Sequence, residues 1–543
     1  MNQHGLYMAP PSARTLPALL AEMAARYPHQ EFVVDGAWRL TYAAFEAEVE
    51  ICAKGLIALG VGAGDKVAIL MGNQMEWLVA DFAIIAVGGV MVSVNTWASA
   101  RELTYMLEHS ECSALVMVDE FAGNNYLQML ATLIDAGRLA GLRHIVRVHP
   151  GSEKLARSVD WAGVRELGIQ AEDTQLRARQ TAIASHDVAY ILYTSGSAST
   201  PKGVQLQHGG LIENMWQIGE RQHLRPGDRL WLSVSLFWGL GCENALFAMM
   251  THAAAIVIQR QFDPAQALSL IEREQCSVIY ATPNMVHSIT ADPSFNVARL
   301  ASLRTGATLG TPQQIKLLAG LGVAEICNIY GMTETYGNCT VTDALDPLEL
   351  RSVSVGKPLP CFELKIVDSQ TGTVCAPGQV GEILVRGHVT CGYLSDGNNN
   401  QAAFDGDSFF MTGDLGYLDG DGNLYFRGRL KEMIKTGGIN VAPVEVEEIL
   451  MSHAGVAQAF VVPLADTERD EIVAALVVPN AQSAASEQQL RSLCATALAA
   501  YKRPRRYLFV DVEQLPLTST GKVRKLAIPE LFESSQAPRP DGK

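Results

Sequence analysis

Tyr193-Thr194-Ser195-Gly196-Ser197-Ala198-Ser199-Thr200-Pro201-Lys202-Gly203-Val204 follows directly on the apolar run Ala189-Tyr190-Ile191-Leu192. A short buried strand therefore runs into a loop of hydroxyls and glycines that ends on a single lysine. Backbone N–H groups, hydroxyls and one cation can together wrap phosphate oxygens. A Walker A loop requires Gly-Lys followed at once by Ser or Thr. Here Lys202 stands between Pro201 and Gly203, so this is a phosphate cradle of another kind, or a solvated connection. Its partners elsewhere in the chain decide between the two.

At 543 residues the chain exceeds what one core organises, so two or more domains are expected. Apolar residues make up 48% and charged residues 18%, an ordinary globular balance. The net charge of −15 argues against nucleic acid as a partner. The ten cysteines are scattered, with no CxxC pair, which fits a reducing cytoplasm rather than a disulfide framework or a zinc site. The twelve histidines contain no HxxxH or HExxH pairing, which points away from a built-in catalytic metal. Residues 1–14 lack the apolar stretch of a signal peptide. Trp77 to Val94 is apolar enough to weigh as a membrane span, but it contains Asp81 and Gly88-Gly89. A charge within a lone span is costly. The run reads instead as a buried helix over 74–87, capped by Asn73, followed by a strand over 90–94.

North of the loop, helix and strand signals alternate. Leu40, Phe45, Val49, Cys52, Leu56 and Leu59 fall on one helical face that Gly60 can end, and strands are expected near 66–71, 90–94 and 114–118. The rhythm resumes around 229–234, 254–258, 278–280 and 303–305. Such alternation implies parallel sheets covered on both faces. From 352 to 427 short strands are separated by turn clusters, which suggests a small antiparallel barrel or sheet. A second α/β pattern follows the basic stretch 428–435. The expected organisation is an N-terminal part over 1–428, a short connection at 429–431, a smaller C-terminal domain over 432–532 and a polar, disordered tail over 533–543.

Four further stretches stand out: Asn328-Ile329-Tyr330-Gly331-Met332-Thr333-Glu334-Thr335, Thr412-Gly413-Asp414-Leu415-Gly416-Tyr417, Arg427-Gly428-Arg429-Leu430-Lys431-Glu432, and Leu517-Thr518-Ser519-Thr520-Gly521-Lys522-Val523-Arg524-Lys525. Singly each could be an everyday turn. In this order, with the loop at 193–204, they resemble the motifs of the adenylate-forming superfamily: acyl-CoA synthetases, luciferases and peptide-synthetase adenylation domains. The resemblance spans about Leu40 to Leu526.

The resemblance implies a large N-terminal domain of two doubly wound α/β subdomains plus a small β-barrel, and a mobile C-terminal lid domain. It implies chemistry in which a carboxylate is joined to the α-phosphate of ATP and pyrophosphate leaves. Both reactants are anions, so the site must neutralise charge and hold them in line. By this resemblance Thr194, Ser195, Gly196, Ser197, Thr200 and Lys202 handle the β- and γ-phosphates, and Thr333 bonds the α-phosphate. Glu334 would hold Mg²⁺, a hard cation suited to one carboxylate and phosphate oxygens. Tyr330 would stack on adenine, Asn328 would meet its amino edge, and Gly306, Ala307 and Thr308 would line its other side. Asp414 and Arg429 would hold the ribose. Lys522 matches the catalytic lysine and Lys431 the hinge residue. Gly437 and Gly438 would approach the thiol tunnel, and Lys435 and Asn440 match positions that meet phosphate or the acyl group. One departure stands out. The family loop carries Thr-Gly where this chain has Ala198-Ser199, which removes a hydroxyl and a residue tolerant of positive φ.

The acid itself is constrained by Ser235-Leu236-Phe237-Trp238-Gly239-Leu240. Peptide-synthetase domains place an aspartate after this Phe to pair an α-amino group; Trp238 cannot, so α-amino acids are not expected. By resemblance Trp238, Cys242, Glu243, Thr308, Gly331, Met332, Gly337 and Asn338 surround the acyl group, which fits a hydrophobic fatty or aryl acid. No carrier domain follows Lys522, so coenzyme A is the expected thiol. The alternatives are an acyl-AMP ligase that loads a separate carrier protein, a light-emitting oxidative enzyme, and a catalytically weak adenylate-binding protein. A homodimer is the family-level expectation.

Overall fold

The structure is a computed structural model. It describes residues 7–194, 201–436, 439–467, 469–480, 483–517 and 523–534. By compactness the chain forms two units: residues 1–364 with 385–410, and residues 365–384 with 411–543.

The first unit is built on two large sheets. One has seven strands in the order Lys202–Gln207, Val188–Thr194, Val90–Ser93, Lys66–Leu70, Ala114–Val118, His144–Val148, Ser158–Asp160. Every neighbouring pair is parallel except the first, an antiparallel pair with Thr194 opposite Lys202. Thr194 and Lys202 thus end and begin two strands paired at one edge of this sheet. The other sheet has nine strands, among them Ala255–Ile258, Arg229–Leu232, Val278–Tyr280, Thr305–Thr308 and Glu325–Tyr330, all parallel. Buried apolar side chains pack on both sheets, with Leu70, Val92, Leu115 and Ile191 in one core and Trp231, Val257, Ile279 and Ile326 in another. The doubly wound α/β architecture expected from the alternation is the one observed.

Some local expectations change. Leu40 belongs to the strand Trp38–Thr41, and the helix that follows is Tyr42–Ala58, capped by the Thr41 side chain. Asn73 does not cap the helix Met75–Ala86; the Asp35 carboxylate accepts from Met75 N at 3.1 Å instead. Asn73 is used at longer range. Its side chain donates to Val234 O and accepts from Leu236 N at 2.8 Å, fixing the loop that leads to Trp238. The expected tail begins later than 533, since Glu533 and Ser534 end the helix Ile528–Ser534; residues 535–543 lie outside the described residues.

Every residue of Met75–Ala86 is buried, and among the described residues no helix is long and apolar enough to cross a membrane. Asp81 is fully buried in this helix; the Tyr190 hydroxyl donates to its Oδ2 at 2.6 Å, and its Oδ1 has no partner. Burial raises its carboxyl from the ordinary 3.8 to about 8, against the opposing pull of that hydrogen bond. The unfolded chain holds this proton only below about pH 4, so between about pH 4 and pH 8 folding takes a proton up and stability falls by about 1.4 kcal/mol per pH unit. Asp81→Asn is expected to flatten this slope and raise the melting temperature at about pH 8, with little change near pH 4. Calorimetric scans across that range check it; parallel slopes for both proteins would refute a neutral Asp81.

The second unit holds a five-stranded sheet in which Asp470–Pro479 pairs antiparallel with Val456–Asp466 and parallel with Arg506–Phe509. Its two faces carry separate cores, around Val461, Val473 and Leu490, and around Leu476, Ile528 and Phe532. A four-stranded sheet, ordered Phe362–Val367, Gly381–Gly387, Phe410–Leu418, Leu424–Arg429, contains all three points where the chain passes between units. Compactness therefore divides the turn-rich stretch 352–427 between the two, where the sequence reading placed all of it in the N-terminal part.

Candidate functional site

In open α/β sheets ligands settle beyond the carboxyl ends of the strands. Thr305–Thr308 and Glu325–Tyr330 end side by side there, with Gly306 opposite Ile326, Ala307 opposite Cys327 and Thr308 opposite Asn328. The structure thus brings together residues that lie twenty positions apart in the chain. Their polar groups are partly committed to the frame. Thr308 Oγ1 donates to Ala281 O at 2.9 Å, and Asn328 Nδ2 donates to Ser354 O at 3.0 Å. Tyr330 is buried and ends its strand. Gly306 has φ +149°, and a Cβ there would lie 1.9 Å from Ile279 O.

The chain then turns through Gly331 and Met332 into the short helix Thr333–Thr335. Gly331 has no room for a side chain, since a Cβ would come within 2.3 Å of Gly337 O. Thr333 and Glu334 are half-buried. Tyr336 adopts φ +50°, and its hydroxyl accepts from Gln207 N at 2.9 Å. Asn214, from the helix His208–Arg221, donates to Tyr336 O at 2.7 Å and to Asn338 O at 2.9 Å. The turn that carries Thr333 and Glu334 is thereby tied to the strand beginning at Lys202.

A second tie runs through residues 390–394. Thr390 N donates to Glu334 O at 2.7 Å, and the Tyr393 hydroxyl donates to Glu334 Oε1 at 2.9 Å. The Lys202 ammonium lies 4.6 Å from the centre of the Tyr393 ring. Lys202 and Glu334 are thus close neighbours through one aromatic side chain. Ser195, Gly196, Ser197 and Thr200 lie outside the described residues, as do Ala198 and Ser199; Thr194 and Lys202 mark where the loop leaves and rejoins the sheet.

Of the expected acyl-pocket residues, Glu243 lies against Gly337, and its neighbour Asn244 bonds Asn338. Trp238 is half-buried and makes edge contacts with Trp97 at 6.5 Å and Phe237 at 5.9 Å. It precedes a π-helix over Leu240–Ala245, a rare element frequently found at functional sites. Cys242 and Glu243 in that helix are fully buried. Asn338 donates to Asn244 Oδ1 at 3.0 Å. A Cβ on Gly239 would lie 2.8 Å from Glu243 Oε2 and one on Gly337 3.4 Å from it, so the carboxyl is wedged between two glycines. Neither Glu243 oxygen has a hydrogen-bond partner. Burial, reinforced by the nearby Glu334, pushes its pKa well above the ordinary carboxylate value.

In the second unit Asp414 and Arg429 stand directly opposite each other on antiparallel strands, with Arg429 Nε 3.4 Å from Asp414 Oδ1. Asp414 is buried and Arg429 exposed. Lys431 lies in the short helix Leu430–Glu432. Lys435 is exposed, stands opposite Asn440, and its backbone N–H donates to Glu471 Oε2 at 2.6 Å. Gly437, Gly438 and Lys522 lie outside the described residues.

Sequence reasoning missed Asn73, Asn214, Tyr336 and Tyr393. Each acts through its side chain on partners distant in sequence, and no local spacing marks such a role. Tyr393 carried the only local hint, as the aromatic of Gly392-Tyr393-Leu394 after a strand.

The AMP-binding enzyme family matches residues 20–394, and the AMP-binding enzyme C-terminal domain matches 445–522. The Bacillus subtilis (strain 168) protein named "Putative acyl-CoA synthetase YngI" is 34% identical over 532 residues, covering 95% of this chain and 96% of that protein. The Danio rerio mitochondrial medium-chain acyl-CoA ligase ACSF2 is 30% identical over 555 residues, covering 98% and 90%. The crystal structure of ATP-bound MatB from Rhodopseudomonas palustris superposes with a TM-score of 0.81 at 25% identity, covering 96% of this chain and 99% of that one. The chain belongs to the AMP-binding, adenylate-forming enzymes, in their acyl-CoA ligase branch. Its class is accordingly that of the AMP-forming acid–CoA ligases.

Proposed function

We propose that this enzyme activates a hydrophobic fatty or aryl carboxylic acid and loads it onto coenzyme A. The carboxylate oxygen attacks the α-phosphorus of ATP and pyrophosphate leaves; the CoA thiol then attacks the acyl carbon, loses its proton, and AMP leaves. The observation that carries the reading is the meeting of three motifs in the first unit: the strand ends at Thr308 and Asn328, the Thr333–Glu334 turn, and the hairpin from Thr194 to Lys202.

In this reading Thr194, Ser195, Gly196, Ser197, Thr200 and Lys202 hold the β- and γ-phosphates, Thr333 holds the α-phosphate, and Tyr330 with Gly306–Thr308 frames adenine. Because Asn328 Nδ2 is committed to Ser354 O, its part at the adenine amino edge falls to acceptor atoms. Asp414 and Arg429 take the ribose. The donor chemistry fits Mg²⁺: Glu334 offers a hard carboxylate oxygen at the turn that follows the strand ending at Tyr330. When bound, the ion would neutralise phosphate charge. Trp97, Phe237 and Trp238 pack edge to edge as an apolar wall, and Met332 would offer further apolar contact. The name of the zebrafish relative, a medium-chain ligase, supports an apolar acid.

Pyrophosphate exchange across a panel of fatty, aryl, dicarboxylic and amino acids tests the reading. The expected result is exchange with apolar acids, CoA-dependent AMP release, and an acyl-CoA of matching mass. Exchange without CoA turnover would point to a carrier-protein acceptor, and no exchange with any acid would refute adenylation.

The loop departure gives a second test. Restoring the family residues with Ala198→Thr and Ser199→Gly adds a hydroxyl and a residue free to take positive φ. The double variant is expected to lower the KM for ATP roughly three- to ten-fold, with kcat little changed. An unchanged or raised KM in steady-state assays would refute the idea.

A further inference from the structure

Residues 390–394 do more than connect two elements. Leu394 N donates to Gly203 O at 2.8 Å, Gln205 N donates to Gly392 O at 3.1 Å, and Thr390 Oγ1 donates to Gln205 O at 2.7 Å. The segment is laced along the strand that begins at Lys202, with Val204 and Tyr393 facing as a bridge pair. Its backbone is clamped in turn by Asn400, which accepts from Tyr393 N at 2.6 Å and donates to Tyr393 O at 3.0 Å. Only 8% of Tyr393 is exposed. Its ring face meets the Lys202 ammonium and its hydroxyl meets Glu334. A cation within about 6 Å of a ring centroid is attracted by the ring quadrupole. A phenol donating to one carboxylate oxygen fixes the plane of that carboxylate and leaves its second oxygen to other partners.

We propose that Tyr393 is a positioning residue for adenylation, coupling the lysine of the phosphate hairpin to the carboxylate that receives the cation. The inference rests on the roles proposed above for Lys202 and Glu334. One side chain would set both the seat of the ammonium and the orientation of Glu334, so the two charges that meet the magnesium–nucleotide complex are aligned before it arrives.

Tyr393→Phe separates the two contacts, since it keeps the ring beneath Lys202 and removes the hydroxyl on Glu334. The experiment is titration calorimetry of the full-length protein with ATP, with and without Mg²⁺, alongside steady-state kinetics and thermal melts. For Tyr393→Phe we expect ATP affinity without Mg²⁺ to be unchanged, the gain on adding Mg²⁺ to shrink roughly five- to ten-fold, and the KM for ATP to rise by a similar factor with a near-native melting temperature. Tyr393→Leu should also weaken binding without Mg²⁺, because the seat of Lys202 is lost. Glu334→Gln is measured in parallel. If it abolishes the Mg²⁺ gain while Tyr393→Phe leaves that gain intact, Tyr393 is a packing residue and the proposal is overturned. If Glu334→Gln itself leaves the gain intact, the assignment of Glu334 fails, and the proposal falls with it for that distinct reason. A lowered melting temperature with unaltered nucleotide binding also overturns it.

Discussion

Lys522→Ala is expected to slow acyl-adenylate formation by roughly two to three orders of magnitude while leaving thiolysis of a supplied acyl-adenylate near its original rate. The argument is electrostatic. Two anions, the substrate carboxylate and the α-phosphate of ATP, must close to bonding distance, and their repulsion is strong in a site poor in water. A compact ammonium on a long stem can reach both at once. Thiolysis has no such pair of approaching anions, because the attacked carbonyl is already joined to the phosphate. Pyrophosphate exchange reads the first half-reaction, and CoA consumption from synthetic acyl-adenylate reads the second. Equal loss in both would mean that Lys522 serves folding or general binding. Conversely, a Lys522→Ala enzyme with undiminished exchange would remove the lysine from the adenylation step altogether.

Gly306→Ala is expected to be the most damaging single-methyl change in the nucleotide region. The position carries φ +149°, and a Cβ would meet Ile279 O at 1.9 Å, Ile279 C at 2.8 Å and Ile279 N at 2.9 Å. All three are backbone atoms of the neighbouring parallel strand, so no side-chain rotation relieves the clash. The strands must part, at a cost of about 2–4 kcal/mol. Parting them moves Thr308 relative to Asn328, which stand opposite each other two residues further on. A fall in melting temperature should therefore accompany a rise of at least about ten-fold in the KM for ATP. A thermally unaltered Gly306→Ala protein would refute the steric account. Family resemblance assigns Gly306 to the lining of the adenine pocket; the structure adds that the strand pairing itself excludes a side chain there.

The parts of this architecture that repeat locally were legible in the sequence. Alternating strands and helices announced the doubly wound sheets, and strands such as Ala114–Val118 and Val278–Tyr280 fall where their apolar runs lie. The ordered motifs announced the chemistry, and Thr308 opposite Asn328 or Asp414 opposite Arg429 shows why residues read separately belong together. What stayed hidden depends on one distant partner. Asn73 reads as a helix cap because it precedes an apolar helix, yet the carboxylate of Asp35 takes that role from another strand and leaves Asn73 to hold Val234 and Leu236. Leu40 fits a helical face by spacing, yet pairing with Glu31–Asp35 draws it into a strand. Asp81 reads as a charge that forbids a membrane span; burial raises its carboxyl to about 8 within a helix that is buried on every side.

The three crossings between the units have a practical consequence for anyone who would exchange or excise parts of this enzyme. No single cut in the chain separates the second unit, because residues 365–384 belong to it and are followed by 26 residues, 385–410, that do not. A fragment beginning at Met411 would deprive Thr412 Oγ1 of its acceptor, Ile383 O, and Gly413 N of Glu382 Oε1. It would also strip Gly416 of the Ile383 side chain it packs beside. Chimaeras that transplant acyl or thiol preference should therefore splice at three junctions, so that 365–384 travels with everything after 410.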